Sequence, residues 1–310
     1  MKPTLDELFD QRQTYPDTDA RTRLNRLIGL DEQKSRLAKI LGLLVHPAGL
    51  EAWSNKHHPG ATALLDTVLR RPPLVILAGD VGSGKTELAE TIGDSVARLE
   101  KIDITLFPLS LATRGKGQVG EMTQLLTTAI DYTLAEAKKL QTARGAKSNG
   151  GIILFVDEAD ALAQSRESSQ MHHEDRAGVN AFIRGIDRLA QAKVPAAVIM
   201  CTNRLSALDP AVRRRAADIL TFTRPDEVQR RHVLHERLEP LGLSKAQLDG
   251  LVAATGARNR HDVGFTFSDL TQRLIPSIVL DAYPERAIDG KRAIEIAEQM
   301  TPTPAFRDQA

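Results

Sequence analysis

A doubly wound parallel α/β sheet of five strands, followed by a small helical domain, is the fold class this sequence predicts. Three observations carry that expectation. Apolar runs of strand length alternate with segments of helical periodicity between residues 73 and 222. A glycine-rich loop joins the first of those strands directly to a helix. From Pro225 onward the strands stop and only helical patterns remain.

The composition narrows the class of protein before any element is assigned. The chain has 310 residues, 42% hydrophobic and 26% charged, an ordinary globular balance with room for about two domains. Its 41 basic and 40 acidic side chains leave a formal charge of +1, which lacks the electrostatic footprint of a dedicated nucleic-acid binder. Cys201 is the one cysteine, so no disulfide framework can form, and a reducing cytoplasm is the expected compartment. No apolar stretch reaches membrane-spanning length, and no membrane partner is expected.

Taken in order, residues 1–25 are polar and carry Pro3 and Pro16, which predicts a flexible N-terminal arm. Arg26-Leu27-Ile28-Gly29-Leu30-Asp31 leads into a helix with Leu37, Ile40, Leu41 and Leu44 on one face. The segment from Gly49 to Arg71 is expected to be a helix-and-loop connector. Its His57-His58 pair, like His172-His173 and His232/His235, lacks a third ligand at a recognisable metal spacing. Leu74-Val75-Ile76-Leu77-Ala78 is a short branched run, as a fully buried strand requires.

Gly79-Asp80-Val81-Gly82-Ser83-Gly84-Lys85-Thr86 comes next and fits the phosphate-loop pattern G-x-x-x-x-G-K-[ST]. Its glycines let successive backbone N–H groups turn inward at a helix N-terminus, where anions bind. Lys85 adds a point charge for the β- and γ-phosphates, and the Thr86 hydroxyl is placed to ligate magnesium. Four further strands are expected at Ile104–Leu109, Ile152–Val156, Ala196–Cys201 and Asp218–Phe222. Between them run helices marked by Val119, Met122, Leu125, Leu126 and Ile130, then by Val179, Phe182, Ile183, Ile186 and Leu189.

The second of these four strands ends in Asp157-Glu158. Ligands of parallel sheets sit at the C-terminal edge of the strands, so Asp157 is placed to hold magnesium and Glu158 to polarise an attacking water. Asn203 follows the next strand, within reach of a γ-phosphate or that water. Arg213-Arg214-Arg215 would fan around a helix, so one partner in the same subunit could not satisfy all three; an arginine finger on a neighbouring subunit is the sharper reading. Beyond Pro225, helices are expected around 227–238, 244–254, 268–281 and 291–300, with Pro276 interrupting the third. Residues 301–310 are expected to be a disordered tail.

In this order the phosphate loop, Asp-Glu strand, Asn203 and arginine cluster resemble AAA+ ATPases, and the helices after Pro225 resemble their lid. The likeness runs from about residue 26 to 283 and implies a large domain over 26–224 and a lid over 225–300. It implies ATP/ADP and Mg as cofactors, with Ile28 and Gly29 beside adenine, the loop from Asp80 to Thr86 on the phosphates, and Arg214 and Arg215 as fingers. Residues 178–187 and 211–216 are similar to the protein-remodelling branch, most of all to pachytene-checkpoint-type remodellers of HORMA-domain proteins in their bacterial, CBASS-associated form. That resemblance implies a homohexamer whose pore loop, Lys116, Gln118 and Val119, grips a HORMA-domain substrate. Gln118 stands where an aromatic is usual. Asp269 stands where a lid arginine would reach the phosphates, leaving Arg273 as a substitute. The alternatives are a DNA-linked AAA+ machine of helicase- or clamp-loader type, against which the near-neutral charge argues, and a non-hydrolysing nucleotide switch, against which Glu158 argues.

Overall fold

The computed structural model describes residues 8–109, 121–142, 148–159, 173–258 and 262–305. The expected pore-loop residues Lys116, Gln118 and Val119 lie outside them. Six strands form one sheet: β1 Gln13–Tyr15, β2 Leu74–Gly79, β3 Asp103–Pro108, β4 Gly150–Val156, β5 Ala196–Thr202 and β6 Ala216–Phe222. Their spatial order is β1-β3-β4-β5-β2-β6. Strands β3, β4, β5 and β2 are mutually parallel, with Leu106 opposite Ile153, Leu154 opposite Val198, and Ala78 opposite Thr202. Every residue of β4 and β5 is buried, which is why both read as unbroken apolar runs rather than alternating ones.

The described residues form two compact units. The first comprises residues up to Asn25, Glu32–Ala78 and Thr86–Thr221. It holds helices α1 Thr18–Asn25, α2 Asp31–Val45, α3 Ala48–His57, α4 Thr62–Leu69, α5 Lys85–Glu100, α6 Glu121–Leu140, α7 His173–Ala192 and the four-residue α8 Pro210–Arg213, apart from the first residues of α2 and α5. The α7 face Val179, Phe182, Ile186 and Leu189 is buried in one core with Ala129 and Ile130 of α6 and with alternate residues of β4 and β5. Gly185 permits that approach, because a Cβ there would overlap the Ile130 side chain.

The described part of the arm, from Leu8 on, is held in place. Leu8 and Phe9 are buried with Phe107 in the main core, and Gln13-Thr14-Tyr15 adds an antiparallel strand to the edge of β3. The Tyr15 hydroxyl donates to the Glu90 carbonyl and its ring lies flush on Gly93, while Asp94 Oδ1 accepts from the Asp17 N–H at 2.8 Å. A three-residue strand is too short for its period to show in sequence, so five strands are expected and six are found among the described residues.

The second unit joins Arg26–Asp31, Gly79–Lys85 and the chain from Phe222 onward. Its helices are α9 Glu227–Leu238, α10 Lys245–Ala254, α11 Ile275–Ala282 and α12 Gly290–Gln299, with a π-helical turn at Asp269–Leu274 before α11. Capping boxes start α9 at Asp226/Gln229 and α10 at Ser244/Gln247. Pro276 falls in the first turn of α11, where its missing N–H is tolerated, so the interruption takes the form of a change of helix type. Val233, Leu251, Phe265, Leu270, Ile278 and Ala293 close the core.

The described part of the tail is also tied down. Thr303 donates from its N–H and its hydroxyl to the Asp269 carboxylate at 3.0 and 2.7 Å, and Pro302 is buried. Sequence expects disorder there because the binding partner, Asp269, is more than thirty residues away.

Candidate functional site

In the first unit the catalytic candidates gather at the C-terminal edge of the sheet. Asp157 leaves β4, and its Oδ2 accepts from the Thr86 hydroxyl at 2.9 Å. Two protein oxygens at this spacing fit a magnesium ion whose other ligands are phosphate and water, the arrangement magnesium prefers in nucleotide sites. Glu158 adopts φ +48°, a left-handed conformation that glutamate rarely takes, and its N–H donates to Asp157 Oδ1 at 2.8 Å. Holding a non-glycine residue there costs about 1 kcal/mol or more, and such strain concentrates at functional positions. Asn203 follows β5, the strand beside β4, and leaves the sheet at the same edge. The Thr202 hydroxyl accepts from the Arg204 N–H at 3.1 Å and shapes that turn.

The arginine cluster divides. Asp209 caps α8 by accepting from the Ala211 N–H at 2.7 Å, which places Arg214 and Arg215 just past the helix. Arg215 makes a bidentate pair with Asp187 of α7 at 2.7 and 2.9 Å, and also donates to the Ala211 carbonyl. The Asp187 hydrogen bonds raise its pKa above the ordinary arginine value, against a smaller lowering by burial. Arg215, expected as a finger together with Arg214, thus has its guanidinium engaged by Asp187 of its own subunit. Arg214 is exposed.

In the second unit the phosphate loop is held by close packing. No Cβ fits at Gly79, where it would overlap the Phe222 carbonyl, and Gly84 adopts φ +93° against Leu27 and Leu30. Lys85 is buried, and its Nζ donates to the carbonyls of Gly79 and Asp80 at 2.9 and 2.8 Å. Those bonds hold the ammonium inside the loop that the phosphates would enter. Beside Ser83 and Gly84 opens a cleft lined by Leu27, Ile28, Leu30, Val233, Phe267 and Thr271. Its mostly apolar walls suit a flat heterocycle, with the phosphate loop at one end. Gly29 takes φ +73° and its carbonyl accepts from Gln229 Nε2 at 2.8 Å, so the α9 capping residue also positions this segment.

Sequence reasoning places Ile28 and Gly29 here but misses Gln229, Val233 and Thr271. They come from distant helices, and the core-facing period of α9 was the only trace Val233 left. Arg273 is turned elsewhere: it donates to Asp269 at 2.6 Å and to the Thr301 carbonyl at 3.2 Å, securing the tail. In the connector, the His57 and His58 rings lie against Trp53 at centroid distances of 6.1 and 4.9 Å.

Residues 75–224 match the family described as ATPase family associated with various cellular activities (AAA). The chain is 64% identical over 309 residues to CD-NTase-associated protein 6 of Escherichia coli strain MS 115-1, covering 100% of this chain and 99% of that protein. Among solved structures it is similar to a chain of the E. coli MS115-1 HORMA:CdnC:Trip13 complex, with TM-score 0.92, 64% identity, and 99% and 100% of the two chains covered. It is also similar to Rhizobiales Trip13, with TM-score 0.75, 58% identity, and 96% and 100% covered. On the family match over residues 75–224 and this kinship, the chain belongs to the AAA ATPases, in the CD-NTase-associated protein 6 group of the pachytene-checkpoint type.

Proposed function

We propose that this chain is a Mg-ATP-hydrolysing remodeller that works as a cytoplasmic homohexamer and partially unfolds a HORMA-domain protein, regulating a CBASS anti-phage system. The observation that carries the reading is the full-length kinship, 64% identity, to CD-NTase-associated protein 6, joined to likeness with a chain solved in a HORMA:CdnC:Trip13 complex. The loop amides from Asp80 to Gly84 and Lys85 hold the phosphates. Thr86 and Asp157 hold magnesium, which when bound offsets phosphate charge. Glu158 takes a proton from the attacking water, and Asn203 orients that water. Arg214, exposed where Arg215 is engaged, completes the site of an adjacent subunit, and Arg215 braces it through Asp187. The helical unit acts as the lid, and Lys116, Gln118 and Val119 grip substrate in the pore. Folded domains are stable by only about 5–15 kcal/mol and open locally for less, so partial unfolding needs no complete threading.

The test is ATP turnover with and without the HORMA-domain protein of the E. coli MS115-1 HORMA:CdnC:Trip13 complex, with hydrogen exchange on that protein. We expect turnover to rise and exchange to spread from one end of the HORMA domain only when ATP is hydrolysed. Turnover indifferent to the HORMA protein, with unchanged exchange, would overturn the substrate assignment and leave an ATPase without it.

A further inference from the structure

The second residue of the phosphate loop, Asp80, is a carboxylate in a segment proposed to receive a polyphosphate. At a separation of several ångströms and an effective dielectric constant of about 20, a bare carboxylate would weaken binding roughly tenfold or more. Asp80 is not bare. Arg224 Nε donates to its Oδ2 at 2.6 Å, and the two side chains are 13% and 17% exposed, so solvent screens the pair weakly. The other carboxylate oxygen, Oδ1, accepts from the Val81 N–H at 2.9 Å. Arg224 Nη1 donates to the Gly264 carbonyl at 2.7 Å, while Nη2 is buried with no hydrogen-bond partner among the described residues. Arg224 arrives two residues after Phe222, whose carbonyl packs so tightly on Gly79 that no Cβ fits. The backbone that delivers the guanidinium is thus in contact with the head of the loop.

We propose that Arg224 is the charge-neutralising partner of the phosphate loop: it cancels Asp80 and holds that carboxylate aside, so that amides and Lys85 face the nucleotide. The inference rests on nucleotide binding at this loop, as proposed above. Arg224 touches the loop and not the nucleotide, so it is a positioning residue. Its role has a signature that a plain structural bridge lacks. Removing the guanidinium leaves a carboxylate opposing the phosphates, whereas removing the carboxylate leaves a guanidinium that favours them. The two single substitutions should therefore move nucleotide affinity in opposite directions, although both break the same pair and lower stability.

The experiment titrates fluorescent ADP and a non-hydrolysable ATP analogue into the full chain and into Arg224→Gln, Asp80→Asn, Arg224→Lys and the Arg224→Gln/Asp80→Asn double variant, with melting temperature measured on each preparation. Arg224→Gln should weaken ATP-analogue binding about tenfold or more, weaken ADP binding less, and lose part of the deficit in added salt. Asp80→Asn should tighten binding despite a lower melting temperature, the double variant should return toward wild type, and Arg224→Lys should keep the wild-type ratio of the two affinities. Should Arg224→Gln fail to fold, Asp80→Asn and Arg224→Lys still decide the sign. Equal weakening by both neutralising substitutions, independent of phosphate charge and tracking melting temperature, would overturn the proposal. A wild-type chain that binds neither nucleotide would instead overturn the functional reading beneath it.

Discussion

At the scale of single residues, backbone and charge partners decide which of several similar side chains does chemistry. Asp157 and Glu158 are adjacent carboxylates, yet one accepts from Thr86 and the other is held at φ +48° beyond the strand end. That division of geometry matches the proposed division of labour, Asp157 as metal ligand and Glu158 as general base. Arg214 and Arg215 separate in the same way, because Asp187 engages only the second. Glu158→Gln is expected to bind ATP and slow hydrolysis by about a hundredfold or more, the usual worth of a general base. Arg214→Ala should abolish hydrolysis at unchanged melting temperature. Arg215→Ala should lose the half-exposed Asp187 pair, worth about 1 kcal/mol, and lower melting temperature as well as activity. Mixing Arg214→Ala with Glu158→Gln subunits should restore partial turnover at interfaces pairing an intact Glu158 with an intact Arg214. No complementation at any ratio would remove Arg214 from the neighbour's site.

At the scale of elements, the described segments near both ends of the chain, from Leu8 and up to Thr303, are structural. The N-terminal segment covers the edge of β3, which would otherwise present unpaired backbone groups, and burial raises the Tyr15 phenol well above its ordinary value. The π-turn is anchored through Asp269, which is fully buried. Burial alone would raise its pKa, but hydrogen bonds from Thr266, Thr303 and Arg273 outweigh that and hold it below the ordinary 3.8. A carboxylate depressed in the folded state contributes its full stability above its unfolded value and loses it as pH falls through the folded one. Asp269→Asn should therefore lower the melting temperature by a constant amount above about pH 4.5, with the gap to wild type closing in more acid solution. A gap that does not change between pH 3 and 7 would show that Asp269 acts through shape alone.

At the scale of the whole molecule, the proposed remodelling requires force to reach the substrate through the pore segment. Val119 is its apolar residue, so Val119→Asp should keep ATP binding, oligomer mass and melting temperature while abolishing HORMA-dependent stimulation of turnover. Loss of assembly in that variant would mean that Val119 packs against the following helix instead. The near-neutral charge of +1 predicts DNA binding that is weak and shallow in salt, and a steep salt slope would favour the DNA-linked alternative.

Much of the architecture was legible in the chain because it rests on local information. Buried strands announce themselves as branched apolar runs, helices by their period, and the phosphate loop by glycines and Lys85 at a fixed spacing, so β2 to β6 fall where expected, with Asp157 and Glu158 directly after β4. What tertiary structure alone decided depends on partners far apart in sequence. Tyr15 finds Glu90, Thr303 finds Asp269, Arg215 finds Asp187, and Gln229 finds Gly29 two hundred residues away. The same holds for the grouping of Arg26–Asp31 and the phosphate loop with the C-terminal helices, which contiguous domain boundaries cannot express. Local pattern specifies which groups are present and on which element; only packing specifies which charge each group meets, and that meeting sets its role.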